Sequence, residues 1–170
     1  MKKFLAAAVM VASLSMGGVA VAAEAPSTDT SAAAAVCRTT ACVKAAARAV
    51  TVERVYGPLY GRYKAMYPNA LNWNNNGCSF PAFMYDIRGL GGVISHYGAE
   101  FQKSCDRHDF GYRNHGLSGV ARSTVDRRFR DNMYYQCDVN HTDFLPPWVA
   151  CRAAAKLIFE VVDSFGGSFW

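Results

Sequence analysis

Three kinds of pattern are missing from the chain beyond Ala23. No later run approaches the roughly 18 consecutive apolar residues that a membrane-spanning helix needs. The motifs GxSxG and HExxH are both absent, which leaves a nucleophile-elbow serine esterase without its motif and weakens the case for a zinc protease. Alternation of apolar and polar residues never extends beyond a few positions, so the sequence predicts an all-α fold.

The segment 1–23 has the pattern of a signal peptide. A basic start at Lys2 and Lys3 precedes an apolar run, which ends in small residues at the spacing that signal peptidase recognises. The run is too short for a transmembrane anchor and contains two adjacent glycines. Residues 24–36 are small and polar and predict a flexible lead-in, and residues 37–170 predict a single domain. The mature protein is therefore expected to be secreted, either extracellular or periplasmic.

The net charge of the chain is mildly basic. The chain has 18 Lys and Arg against 13 Asp and Glu, a formal charge of +5. Removing Lys2 and Lys3 with the signal peptide leaves 16 against 13, or +3. Such a charge favours encounter with anionic surfaces, including lipid, and gives no argument for a nucleic-acid partner.

Six cysteines follow the predicted cleavage site, at positions 37, 42, 78, 105, 137 and 151. An even number of cysteines in an oxidising compartment is typical of disulfides, although six cysteines allow 15 pairings. The alternative is a zinc site, for which Cys37 and Cys42 have a suitable spacing. No second pair of cysteines or closely spaced pair of histidines completes such a site, so the sequence favours disulfides.

Helical periodicity is the main secondary-structure signal. Apolar residues recur every three or four positions over residues 41–56, 99–114, 123–137 and 148–162, and Ser123 is expected to cap the third of these helices. A short additional helix is expected before Pro68.

Two stretches are predicted to be irregular. Residues 72–81, "NWNNNGCSFP", contain four asparagines, a glycine and a proline, which is typical of a loop. Residues 84–98 are rich in glycine and have no clear period, so they predict an excursion that lies over another part of the fold.

The stretch "SCDRHDFGYRN", residues 104–114, places several reactive residue types on one predicted helix. Successive helical residues point about 100° apart, so His108 and Asp109 face different partners. His108 needs a carboxylate to orient its ring, and Asp126 on the next helix, an antiparallel neighbour, is the natural supplier. The alternative is that Asp126 is a solvated acid beside Arg122.

The other face of this helix suits a metal ion. Cys105 lies one turn before Asp109, and if it is bonded to Cys78 the asparagine-rich loop is held directly over Asp109. Carboxylates, amides and backbone carbonyls are the oxygen ligands that calcium prefers. The sequence therefore indicates a site for a hard cation between the loop and the helix.

The motif "CDRHDFGYRN" resembles the active-site helix of the small secreted phospholipases A2 of bacteria and fungi. The resemblance extends to "NGC" upstream and "VDRRF" downstream and covers residues 56–159 in outline. It implies a calcium-dependent enzyme that hydrolyses the sn-2 ester of glycerophospholipids, at a membrane or micelle surface, to lysophospholipid and free fatty acid. It also implies a small disulfide-bonded helical domain, acting as a monomer, in which two antiparallel central helices carry the site.

The resemblance assigns a role to each of five residues. His108 is the general base that takes a proton from water, and Asp126 orients its ring. Asp109, the side chain of Asn76 and the backbone carbonyl of Gly77 hold calcium, which polarises the ester carbonyl and neutralises the developing oxyanion. The family's disulfides carry over as Cys78–Cys105 and Cys137–Cys151, which leaves Cys37–Cys42 by elimination.

One departure from the family pattern concerns the metal. Asn76 stands where the family usually carries an aspartate, so an oxygen ligand is kept but one negative charge is lost. Calcium binding is expected to weaken toward about 10⁻⁴ to 10⁻³ M, unless Asp86 compensates. If calcium binding is abolished, the alternative function is a catalytically silent secreted protein of the same fold that binds lipid or a partner.

The other departure is the 27-residue separation of Cys78 and Cys105 (105 − 78), which is longer than expected for the family. The intervening apolar residues form either a membrane-seating flap or a packed surface loop, and the sequence leaves both open: Ile87, Leu90, Val93 and Ile94.

Two more interpretations stay open. Tyr112 either packs in the core or hydrogen-bonds Asp126. Four arginines form either a solvated face or a dock for anionic phospholipid: Arg122, Arg127, Arg128 and Arg130.

Overall fold

The computed structural model of the chain describes residues 36–170, with the side chain of Arg88 excepted. The predicted signal peptide, residues 1–23, and the lead-in up to residue 35 lie outside the described residues. Every regular element of the described part is helical, as the sequence predicts. None of these helices is both long and apolar enough to cross a bilayer.

Residues 36–170 contain α-helices joined by short turns. The α-helices are α1 (Thr40–Val52), α2 (Leu59–Met66), α3 (Leu90–Tyr97), α4 (Gln102–Arg113), α5 (His115–Ser118), α6 (Arg122–Asn140) and α7 (Pro146–Phe165). Single 3₁₀ turns occur at Ala82–Met84, Ile87–Gly89 and Gly166–Phe169. The longest connection without regular structure lies between α2 and the first 3₁₀ turn, and it holds the predicted asparagine-rich loop.

α4 and α6 lie antiparallel at the centre of the domain. Ser104 near the start of α4 bonds Gln136 near the end of α6, whereas Tyr112 near the end of α4 bonds Asp126 near the start of α6. α7 packs along α6 and completes the main core. Fully buried side chains of this core include Phe101, Phe129, Met133 and Ile158. The predicted pair of antiparallel central helices is thereby confirmed.

α1 supports the opposite side of α4. Its predicted apolar stripe is buried in a second cluster together with Phe110 of α4 and Trp73 of the loop: Val43, Ala46, Ala47 and Val50. The rings of Trp73 and Phe110 lie 4.7 Å apart. The beginning of the asparagine-rich loop is therefore anchored on the same helix that carries His108.

Hydrogen bonds fix the start of this loop. The backbone N–H of Asn72 donates to Oδ1 of Asn114 at 2.9 Å, and Nδ2 of Asn114 donates to the carbonyl of Asn72 at 2.8 Å. The indole N–H of Trp73 donates to the carbonyl of Tyr67 at 2.9 Å. The backbone N–H and carbonyl of Asn72 are therefore both hydrogen-bonded, although this part of the chain has no regular secondary structure.

All six cysteines are paired: two disulfides are those that the family resemblance implies, and the third is the Cys37–Cys42 pair that is left by elimination. Cys78–Cys105 joins the loop to α4, Cys137–Cys151 joins α6 to α7, and Cys37–Cys42 lies at the start of α1. The structure therefore excludes the alternative of a cysteine-ligated zinc site.

Residues 84–98 contain a 3₁₀ turn and the eight-residue helix α3, and not the irregular excursion that their glycines predict. The 3₁₀ turn at Ile87–Gly89 leads directly into α3, and Gly89 at the junction has a φ of 75°. Four apolar side chains lie in or against the main core: Ile87, Leu90, Val93 and Ile94. This burial supports the packed-loop interpretation over the membrane flap. Glycines inside α3 obscure its period in the sequence.

Ser123 does not cap α6, contrary to the prediction. α6 begins at Arg122, and the extended residue Ala121 takes the N-cap position without a side-chain hydrogen bond. Because α6 begins at Arg122, this residue and Asp126 lie about one turn apart on the same helix, and their side chains form an ion pair. Ser123 consequently lies inside the first turn of the helix.

Candidate active site

His108 and Asp126 meet across the interface of α4 and α6. The Nε2–H of His108 donates to Oδ1 of Asp126 at 2.9 Å. The side chain of Asp126 is completely buried, so the interpretation of Asp126 as a solvated surface acid is wrong. Because Nε2 is engaged with the carboxylate, Nδ1 is the ring nitrogen that can accept a proton.

The imidazole of His108 is held between two aromatic rings. Its centroid lies 4.3 Å from the ring of Tyr112 on the same helix and 4.5 Å from the ring of Phe129 on α6. Together with the bond to Asp126, these contacts fix both the position and the tilt of the ring. A base held in this way is preorganised for proton transfer.

Asp126 accepts two more hydrogen bonds, one on each oxygen. The hydroxyl of Tyr112 donates to Oδ1 at 2.8 Å, which decides the question that the sequence leaves open for this tyrosine. Burial and the adjacent carboxylate raise the pKa of Tyr112, so its hydroxyl keeps its proton. A guanidinium nitrogen of Arg122 donates to Oδ2 at 3.0 Å. Arg122 therefore belongs to the site and not to a solvated arginine face.

Asp109 faces the asparagine-rich loop, away from Asp126. Its Oδ2 accepts the backbone N–H of Asn76 at 2.9 Å, and the Cys78–Cys105 disulfide ties the loop to α4. Burial raises the pKa of Asp109, and the Asn76 N–H and the charge of His108 oppose that rise. A half-buried carboxylate whose charge is destabilised in this way gains from a nearby cation.

Gly77 allows the loop to turn tightly at this point. Its φ is 63°, a conformation that side chains rarely adopt, and a Cβ there would lie 2.5 Å from Nε2 of Gln102. The side chain of Asn76, immediately before it, is exposed. The three predicted metal-ligating residues are thus grouped, with Asn76 and Gly77 adjacent on the loop that contacts Asp109.

Residues of the loop and of α4 line a cavity of about 590 Å³. They supply its polar lining, which includes His108, Asp109 and Arg113. Its apolar walls come from five side chains: Phe80, Met84, Phe129, Val162 and Phe169. A cavity lined by both charged and apolar side chains suits an amphiphilic ligand.

A model of the family described as prokaryotic phospholipase A2 matches residues 59–166, which include the loop, His108 and Asp126. The chain belongs to the prokaryotic phospholipase A2 family. It is also 29% identical over 104 residues to a protein named secretory phospholipase A2 from Beauveria bassiana (strain ARSEF 2860). That match covers 59% of this chain and 46% of the fungal protein, so the chain spans about half the length of that relative.

In this member of the prokaryotic phospholipase A2 family, the arginine of the "DRHDF" motif has a supporting position. Arg107 points away from the cavity, and its guanidinium lies 2.7 Å from the carboxylate of Glu53. Glu53 also accepts the backbone N–H groups of Leu59 and Tyr60 at the start of α2. Burial lowers the pKa of Arg107, and the paired Glu53 opposes that change. The contact anchors the helix of His108 from behind.

Exposed phenylalanines lie beside the cavity of this phospholipase A2 family member. Phe83, Phe165 and Phe169 are 54%, 39% and 51% exposed, and the rings of Phe83 and Phe165 lie 6.0 Å apart. Phe169 also lines the cavity wall. We call these three residues the aromatic rim. Sequence reasoning missed the rim because Phe83 is far from the other two members along the chain.

Proposed function

We propose that the chain is a secreted, calcium-dependent phospholipase A2. It hydrolyses the sn-2 ester of glycerophospholipids and releases a free fatty acid and a lysophospholipid. The observation that carries the proposal is the pairing of His108 with the buried Asp126 at 2.9 Å, with His108 lining a cavity that also has apolar walls. Family membership and the secretory phospholipase A2 relative support the same assignment.

His108 acts as the general base in this proposal. Its Nδ1 takes a proton from a water molecule, which attacks the ester carbonyl directly, and no acyl-enzyme forms. Asp126 stabilises the resulting imidazolium, and Tyr112 and Arg122 hold Asp126 in place. The imidazolium then returns the proton to the departing lysophospholipid oxygen.

The residues around Asp109 fit calcium. Asp109 and the side chain of Asn76 offer oxygen ligands, and the carbonyl of Gly77 adds a third, which is the donor type that a hard cation prefers. The raised pKa of Asp109, caused chiefly by burial, is consistent with a carboxylate placed to meet a cation. When bound, calcium supplies a Lewis acid for the ester carbonyl and a counter-charge for the lipid phosphate.

The substrate is a phospholipid at a membrane or micelle surface, and the protein acts as a monomer. The apolar side chains of the cavity accommodate an acyl chain, while Arg113 in its lining suits an anionic headgroup. The aromatic rim offers apolar surface next to the opening. Three disulfides favour an oxidising compartment, in agreement with the predicted signal peptide.

The test is the release of fatty acid from phosphatidylcholine vesicles labelled at the sn-2 chain. The wild type is expected to release label with calcium and to lose that activity with a chelator. His108→Ala and Asp126→Asn are each expected to lower kcat by ~10²- to 10⁴-fold, because each removes part of the proton-transfer pair. His96→Ala is the matched control, since His96 is exposed on α3 and contacts Tyr97.

If His108→Ala hydrolysed the substrate at the wild-type rate, His108 would not be the general base. Vesicle binding without release of label, with or without calcium, would support the catalytically silent alternative. Release that persists in chelator would keep the His108–Asp126 pair and remove the metal from the proposal.

A further inference from the structure

Both donors that hold Asp126 from behind are themselves held by the end of the described chain. Arg122 donates from the same nitrogen, Nη1, to Oδ2 of Asp126 at 3.0 Å and to the carbonyl of Asp163 at 3.1 Å. Asp163 lies in the last turn of α7. Arg122 therefore links the carboxylate of Asp126 to the backbone of α7.

Gly166 lies directly against the other donor. A Cβ built on Gly166 would be 2.5 Å from the hydroxyl oxygen of Tyr112 and 3.5 Å from Nη1 of Arg122. No side chain fits there unless the hydroxyl that bonds Asp126 moves away. Gly167, the next residue, has nothing within 4 Å of such a Cβ. The close approach is thus specific to one glycine of the pair.

Trp170 covers the ring of Tyr112 from outside. The two ring centroids lie 5.0 Å apart in an edge-to-face arrangement with an interplanar angle of 88°. Trp170 also lies 4.7 Å from the ring of His115, and Nδ1–H of His115 donates to the carbonyl of Tyr112 at 2.8 Å. Tyr112 is thereby fixed through its ring and its backbone, as well as through its hydroxyl.

We infer that Gly166 and Trp170 are positioning residues for Asp126, acting through the hydroxyl of Tyr112. The inference rests on the proposed function, in which Asp126 orients His108. Trp170 does not line the cavity, whereas its neighbour Phe169 does. Phe169 and Trp170 are neighbours in the sequence but differ in position: Phe169 lines the cavity, whereas Trp170 packs on Tyr112, which hydrogen-bonds Asp126.

Kinetics distinguish positioning from substrate binding. A displaced Tyr112 hydroxyl weakens an interaction that counts in the transition state, so kcat falls while KM is nearly unchanged. Trp170→Ala is expected to lower kcat about 10-fold, in line with the cost of small displacements in a catalytic constellation. Trp170→Phe keeps an aromatic ring over Tyr112 and is expected to restore most of kcat. Phe169→Ala is expected to raise KM instead.

Gly166→Ala and Gly167→Ala form a matched pair in the full-length protein. Gly166→Ala is expected to lower kcat about 10-fold because its methyl group displaces the Tyr112 hydroxyl, whereas Gly167→Ala is expected to match the wild type.

In a Tyr112→Phe background, which lacks the hydroxyl, Trp170→Ala is expected to lower kcat less than about twofold further, since residues acting through one contact are not additive. Full additivity, or an effect on KM alone, would overturn the inference.

A spectroscopic measurement decides the inference independently of turnover. With tyrosine labelled at Cζ, the carbon NMR signal of Tyr112, assigned by its loss in Tyr112→Phe, reports the hydrogen bond of its hydroxyl. The signal is expected to shift in Trp170→Ala and Gly166→Ala and to stay in place in Gly167→Ala. An unmoved signal overturns the inference, and an inactive wild type with the expected shifts overturns only the proposed function.

Discussion

The role of Asp126 depends on its burial. In the sequence it is one acid among arginines, yet its side chain is completely buried and accepts hydrogen bonds from His108, Tyr112 and Arg122. Three donors offset the cost of removing a carboxylate from water. The partner that sequence reasoning placed on the surface, Arg122, is one of the three. Its role depends on α6 starting one residue earlier than the predicted cap.

Asn76 is the residue whose chemistry departs from the family pattern. Asn76→Asp is expected to tighten calcium binding about 10-fold, because it restores an anionic ligand next to Asp109. Isothermal titration calorimetry measures the change. Asn74→Asp adds the same charge two residues earlier in the loop, also at an exposed position, and serves as the control. Equal tightening by both variants would indicate a general field effect, and no change in Asn76→Asp would remove Asn76 from the metal site.

At the scale of elements, the sequence predicts features that depend on residues close together in the chain. The helix of His108 follows from apolar periodicity, and the asparagine-rich loop follows from its composition. The different directions of His108 and Asp109 follow from the helical step of about 100° per residue. α3 was missed because glycines interrupt its apolar pattern. Gly166 and Trp170 were missed for a different reason: their contacts with Tyr112 join distant parts of the chain, and no local pattern records such a contact.

The disulfide between the loop and α4 is expected to matter more than the one at the start of α1. Cys78→Ala with Cys105→Ala frees a 27-residue connection and is expected to lower the free energy of unfolding by about 3.5 kcal/mol, from loop-closure entropy. Cys37→Ala with Cys42→Ala frees a connection of only 5 residues, for which the same relation gives about 2 kcal/mol. Urea denaturation followed by circular dichroism measures both.

Only the first of these two double variants is expected to weaken calcium binding, because only Cys78 belongs to the loop that contacts Asp109. Equal calcium affinity in the two variants would mean that the noncovalent contacts of the loop, including the hydrogen bonds between Asn72 and Asn114, fix it without the disulfide.

At the scale of the whole molecule, two of the exposed apolar regions of the described residues lie near opposite ends of α7. The aromatic rim lies beside the cavity, near the end of α7. Phe144, which is 83% exposed and has a φ of 65°, lies just before the start of the same helix. The 20 residues of α7 separate the two places by roughly 30 Å at about 1.5 Å per residue. A flat lipid surface that meets the rim therefore need not touch Phe144.

The double variant Phe83→Ser with Phe165→Ser is expected to weaken binding to phosphatidylcholine vesicles about 10-fold, because it removes two apolar side chains from the contact. Activity on a short-chain substrate below its micelle concentration is expected to change much less. Sedimentation with vesicles measures the binding. Phe144→Ser is the matched control, and an equal loss of binding in that variant would place the lipid contact at the other end of α7.

The covalent tie between Cys78 and Cys105 also has a consequence for the cell that makes the protein. In the proposed secreted enzyme, the disulfide between the asparagine-rich loop and the helix of His108 would form only after export, because thiol pools of the cytosol keep cysteines reduced. We expect the producing cell's own bilayers to be spared during synthesis for this reason. Assembly of the complete site would then coincide with arrival in an oxidising compartment.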